Sequence, residues 1–203
     1  MRSPIKAILI ILNFAGLVYS QELTDPNLIL EKMFLTYASA NSFSCEADYS
    51  ATDKFDVSRP VTRTMKMAFS RPDKIRLEWT EDQRGSAPLT SCIFTRKGEV
   101  FVYRAKYVNE YQKEKSIKAS ISANAGVSRG LSYTVPPLLL GEMGYFLFNS
   151  LKKEADKEIN GEKCFKISGA TRDNREFELA ISKSTFALVQ VKEKQEMKNE
   201  ELK

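Results

Sequence analysis

Side chains able to do acid–base or covalent chemistry are few in kind in this chain of 203 residues. It contains no histidine, which removes the commonest general base, histidine-containing nucleophilic triads and most catalytic zinc sites. The 26 acidic residues still permit chemistry run by carboxylates alone, as in glycoside hydrolysis. A pair such as Asp48 and Glu78 would have to converge in a cleft, and nothing in their spacing brings them together. The three cysteines, Cys45, Cys92 and Cys164, fit no metal-ligand or CxxC spacing. One pair could bridge in an oxidising compartment, in any of three pairings. For the apolar-flanked Cys92 and Cys164, buried free thiols are the preferred reading. The residue types therefore point away from catalysis, with no metal and no cofactor expected.

The N-terminus says where the chain works. Arg2 and Lys6 precede an apolar run of 12 residues, Ala7 to Val18, and Val18-Tyr19-Ser20 offers a cleavage site before Gln21. Residues 1–20 read as a secretory signal, because a membrane-spanning helix needs about 20 apolar residues. No cysteine follows the run, so a bacterial lipid-attachment site is not expected. Loss of Arg2 and Lys6 takes the 31 basic residues to 29 against 26 acids, a net charge of +3. That mild, scattered excess makes nucleic acid an improbable partner. Residues 21–192 are long enough for one domain with its own core.

The elements follow from periodicity. Asp25-Pro26 reads as an N-cap with proline in the first turn. Leu30, Met33, Phe34 and Tyr37 then recur at helical spacing, giving a helix over Pro26 to about Ala40. A strand is expected over Ser44–Thr52, then a polar insert, Asp53–Pro60. Met65, Met67 and Phe69 alternate with polar or small residues, as do Ile75, Leu77 and Trp79, around an Arg71-Pro72-Asp73 turn. Leu89–Thr95 and Glu99–Lys106 read as a second hairpin. Ser116–Ala125 is a weak helix candidate, and Gly126–Val135 a polar connection. Pro136-Pro137 opens the most apolar stretch, Leu138–Phe148, read as a helix apolar nearly all round and wanting cover on more than one side. Strands return at Lys163–Ala170, after an Asn160-Gly161 turn, at Phe177–Ile181 and at Ala187–Lys192. The charged tail, residues 193–203, is left solvated.

These elements describe antiparallel sheet with one apolar face, one N-terminal helix and an apolar helical insert. Three passages resemble the periplasmic outer-membrane lipoprotein carriers, the LolA-like fold and its lipoprotein-sorting relatives. Phe69 to Trp79 (FSRPDKIRLEW) looks like that family's strand, Arg-Pro turn and strand. Phe94 to Tyr103 (FTRKGEVFVY) is similar to its next hairpin, and Gly126 through Leu140 to its lid passage. The resemblance implies a mainly β (α+β) fold: a curved, incompletely closed antiparallel β-barrel with an N-terminal helix and a helical lid.

It further implies a periplasmic carrier of lipoprotein acyl chains or other lipid, monomeric, with membrane donor and acceptor proteins as partners. In that family the arginine of the Arg-Pro turn, here Arg71, ties the closed lid through its backbone. An apolar cavity is then expected from Met65, Met67, Phe69, Ile75, Leu77 and Trp79 on the sheet. Leu139, Met143 and Phe146 would line it from the lid. The alternative is an envelope-stress sensor or protein-interaction module of the same fold.

Overall fold

The computed structural model describes residues 23–53, 56–81, 89–104, 108–125, 128, 130–172 and 175–195. The expected secretory signal, residues 1–20, and the chain beyond Gln195 lie outside them. The first helix, α1, runs Pro26–Ala38. An Asp25 carboxylate oxygen accepts the Asn27 N–H at 2.9 Å, and Pro26 starts the first turn, so the end is capped as the sequence suggests. Ile29, Leu30, Met33 and Tyr37 form its buried face.

Six strands follow as a meander: β1 (Ser42–Asp53), β2 (Asp56–Ser70), β3 (Lys74–Glu81), β4 (Leu89–Arg96), β5 (Glu99–Arg104) and β6 (Val108–Glu114). They pair in sequence order as one antiparallel sheet. Register places Met67 opposite Cys45 and Leu77, and Leu77 opposite Ile93. Side-chain alternation then puts Met65, Met67, Phe69, Ile75, Leu77, Trp79, Ile93 and Val102 on one buried face. A second, five-stranded sheet has the order β11-β10-β9-β7, with β8 pairing β9. It comprises β7 (Phe148–Lys153), β8 (Lys157–Ile159), β9 (Glu162–Thr171), β10 (Arg175–Ser182) and β11 (Leu188–Gln195). The turn into β9 is Asn160-Gly161, with φ 51° and 83°, the left-handed pair such a hairpin requires. On β10, Glu178 lies 2.8 Å from Lys166 and 3.1 Å from Lys157. Their ammonium groups, Lys166 foremost, hold its carboxyl down at about 2.

Between the sheets, residues 115–147 form a connection carrying α2 (Ile117–Ala123), a 3₁₀ turn at Leu131–Tyr133, α3 (Val135–Leu139) and a 3₁₀ turn at Gly144–Phe146. Apolar faces of both sheets, α1, α2 and this connection share a single core cluster. Each fully buried Leu, Ile or Met in it stabilises the fold by about 1.5–3 kcal/mol. The sheets do not close on each other, so the architecture is mainly β and open, with helices over the apolar face. Among the described residues, no helix is long and apolar enough to cross a membrane.

Four expectations are corrected. Leu138–Phe148 is not one helix: α3 ends at Leu139, and Phe148 already opens β7. Gly141 and Gly144 both take positive φ, 79° and 56°, which stops helical propagation. The polar insert at Asp53–Pro60 is mostly the start of β2, with pairing out to Asp53 and Asp56. Strand β6 was not anticipated, and β11 continues through Glu193 to Gln195, so the tail does not begin at Glu193.

Candidate functional site

The candidate site is the connection of residues 115–147, the expected lid, packed on the apolar core it shares with both sheets. Of the nine expected cavity residues, Met65, Met67, Phe69, Ile75, Leu77, Trp79, Leu139 and Phe146 are buried. Met143 is partly buried against the same cluster. Residues of the sheet and of the expected lid thus pack into one core. Leu138 and Leu139 are 0% exposed, packed by a five-residue helix whose prolines pre-set its first turn. Gly144 makes the lid's return tight. A Cβ there would sit 2.7 Å from the Tyr133 carbonyl oxygen and 3.0 Å from Pro137 Cγ. Gly144→Ala should therefore lower the melting temperature by several degrees, from about 1–3 kcal/mol of strain at a positive-φ position without space. An unchanged melting curve would show that the lid seat is loose.

Arg71 joins the lid to the helix. It sits in the β2–β3 turn, where its own N–H donates to the Asn41 carbonyl at 2.9 Å. Its Nε donates to the Ala40 carbonyl at 2.9 Å, and Nη2 donates to the Ala38 carbonyl and, at 3.0 Å, to Leu139 O. The planar guanidinium also lies over the Phe69 ring, 5.5 Å from its centroid. One rigid fork therefore gathers the carbonyl end of α1, where a cation is favoured, and the carbonyl of the last α3 residue.

The other end of the connection is fixed by a polar knot that sequence reasoning missed. Arg104 Nε donates to Asn124 Oδ1 at 2.8 Å, tying α2 to β5. Ser128 Oγ donates to Ser132 Oγ at 3.0 Å, and Ser132 Oγ donates to the Ile121 carbonyl at 3.0 Å. Asn124, Ser128 and Ser132 are all fully buried. A Ser- and Gly-bearing run carries no signal that distinguishes a buried network from a solvated loop. On the far side of α1, Tyr37 Oη accepts the Leu188 N–H at 2.9 Å, and burial pushes that phenol up to about 12.

A cleft of about 520 Å³ opens at the N-terminal end of α1, among Asn27, Leu30, Phe146, Leu147, Leu151 and Arg175. Of the expected cavity residues, only Phe146 lines it. Asp48 and Glu78 do not converge. Both lie on the outer face of the six-stranded sheet, where Asp48 accepts from Thr64 Oγ1 at 3.3 Å and Glu78 pairs with Arg76. All three cysteines are free thiols. Among the described residues, no cluster of acidic or cysteine side chains is placed to hold a metal. That outer face also carries an aromatic group. Phe94 and Phe101 stack at 5.6 Å, Tyr103 and Tyr111 lie 5.1 Å apart, and Tyr111 is 65% exposed.

No family model and no curated protein matches the chain. Solved structures similar to it include MucB, at 12% identity over 85% of this chain and 53% of that one, with a TM-score of 0.47. The chain therefore spans about half the length of MucB. LprF from Mycobacterium bovis is similar at 10% identity, 86% and 89% coverage and a TM-score of 0.48. A LolA superfamily protein from Nitrosomonas europaea is similar at 12% identity, 84% and 71% coverage and a TM-score of 0.32. These are likenesses of fold.

Proposed function

We propose that this chain is a non-enzymatic carrier or binding protein that holds lipoprotein acyl chains or other lipid between its concave face and its lid. It works in the periplasm after export past Ser20, as a monomer, exchanging its load with membrane donor and acceptor proteins. The observation that carries the reading is the Arg71 fork, which fastens an otherwise apolar lid through the Leu139 carbonyl. Magnitudes support it. Re-exposing Leu138, Leu139 and Phe146 would cost on the order of 5–9 kcal/mol at about 1.5–3 per side chain. Burying a 16-carbon chain returns on the order of 10 kcal/mol before ordering costs. Loading is then nearly balanced, which keeps release cheap. Met65 and Met67 suit a face that must repack around irregular chains.

Native mass spectrometry tests this on protein purified from a periplasm and then offered lipid. Bound lipid or acylated peptide near one-to-one is the expected result. A clean unliganded mass with no uptake would sink the carrier and favour a protein-interaction module. For that second reading, the specific observation is Tyr111, exposed on the outer face beside the half-buried Phe94 and Phe101.

A further inference from the structure

The cleft at the N-terminal end of α1 has two chemistries. Its floor is apolar: Leu30 and Phe146 belong to the core cluster, and Leu151 packs against it. Leu147 stands at the rim, 66% exposed, and offers an apolar side chain to whatever enters. The opposite rim is cationic, with Arg172 and Arg175. Arg175 pairs with Glu193 at 3.4 Å and lies over the Phe177 ring. Arg172 is exposed, with no hydrogen bond or ion pair to a described residue. No aspartate or glutamate lines the cleft, so Arg172 adds a positive charge there beside the Arg175–Glu193 pair. The cleft and the Arg71 fork sit at opposite ends of α1. Asn27 and Ala38 are separated by about 17 Å at 1.5 Å per residue.

We infer that this cleft takes a single-chain anionic amphiphile, a fatty carboxylate, with its head on Arg172 and Arg175 and its first methylenes on Leu30, Phe146 and Leu147. A planar guanidinium receives a carboxylate through two parallel hydrogen bonds, which a lysine could not reproduce. A volume of about 520 Å³ falls within the roughly 300–1,000 Å³ of small-ligand sites and suits one chain rather than a multi-acyl lipid. Because the floor is made of core side chains, the methylenes would meet the same cluster that the lid covers. The inference rests on the carrier reading and adds where a ligand first docks and which head group it carries.

The test uses protein expressed from the full 203-residue sequence, with the neutral fluorescent probe N-phenyl-1-naphthylamine displaced by palmitate or by hexadecanol below their aggregation limits. Palmitate should bind about tenfold more tightly than hexadecanol, the increment of one charge-assisted hydrogen bond. The preference should shrink as salt rises. Arg172→Gln should bring palmitate to the level of hexadecanol and leave hexadecanol unchanged. Leu147→Asp should weaken both ligands. Both positions are exposed, so melting curves should match the wild type. Equal binding of the two ligands, or a preference that survives Arg172→Gln combined with Arg175→Gln, would overturn the inference and leave the carrier standing. So would displacement by phosphatidylglycerol but not by palmitate. Failure of the probe and of every lipid to bind would overturn the carrier reading itself.

Discussion

Arg71→Leu should release residues 131–146 from the apolar core face while the two sheets stay folded. The Arg71 bond to Leu139 O is charge-assisted and the lid's polar tether to the β2–β3 turn. Losing about 1.5–3 kcal/mol there multiplies the open-lid population roughly 10- to 100-fold. Amide exchange in residues 131–146 should accelerate by that factor, and bound lipid should leave faster. Some global stability goes too, because the bonds to Ala38 and Ala40 finish the carbonyl end of α1. Arg71→Lys separates the two effects. A single ammonium keeps the charge at the helix end, worth about 0.3–1 kcal/mol, but cannot span both carbonyl groups. It should melt close to the wild type and still show a loosened lid. Unchanged exchange in residues 131–146 in both variants would remove Arg71 from any latching role.

Phe146→Ala should cost about 3–5 kcal/mol in urea denaturation, the usual range for a buried phenylalanine truncated to alanine. Phe146 is 1% exposed and meets Phe177 and Phe148 with ring centroids 6.5 and 6.3 Å away. It is both core wall and cleft floor, so truncation opens the cleft into the core. An acyl chain can fill that space. Saturating palmitate should therefore restore more stability to Phe146→Ala than it adds to the wild type; at 100 times Kd a bound ligand adds about 2.7 kcal/mol. If palmitate adds the same increment to both, Phe146 is core alone and touches no ligand.

What the sequence disclosed depended on whether a side chain had an apolar job. α1 was legible because Asp25-Pro26 caps it and Leu30, Met33 and Tyr37 repeat. The Met65–Trp79 hairpin was legible because a half-buried sheet imposes a period of two. Strand β6 (VNEYQKE) was not, for it is an edge strand on which Glu110 to Lys113 are exposed, and only the backbone ladder makes it a strand. The Leu138–Phe148 run was misread for the opposite reason. It is apolar because it lies between α1 and the sheets, and apolarity reports burial without reporting conformation. Arg71 was found through turn chemistry and resemblance. The Arg104–Asn124 tie was not, since partners 20 residues apart leave no local pattern, and the Ser128–Ser132 pair, four residues apart, reads like any polar turn.

The strand order has a consequence for how the molecule comes to be. Strands β1 to β6 each pair with the next, and β9 to β11 do the same, so each sheet can assemble from contacts close in sequence. Such topologies collect their structure early, because little loop-closure entropy stands before each contact. The connection at residues 115–147 has no such route. Its leucines find cover only after α1 and both sheets are in place, which makes its docking the final step of folding and its departure the first step of unfolding. On the carrier proposal, the last conformation before the native state is the one that accepts lipid. A chain folding for the first time then passes through that open conformation before the Leu139 carbonyl reaches Arg71.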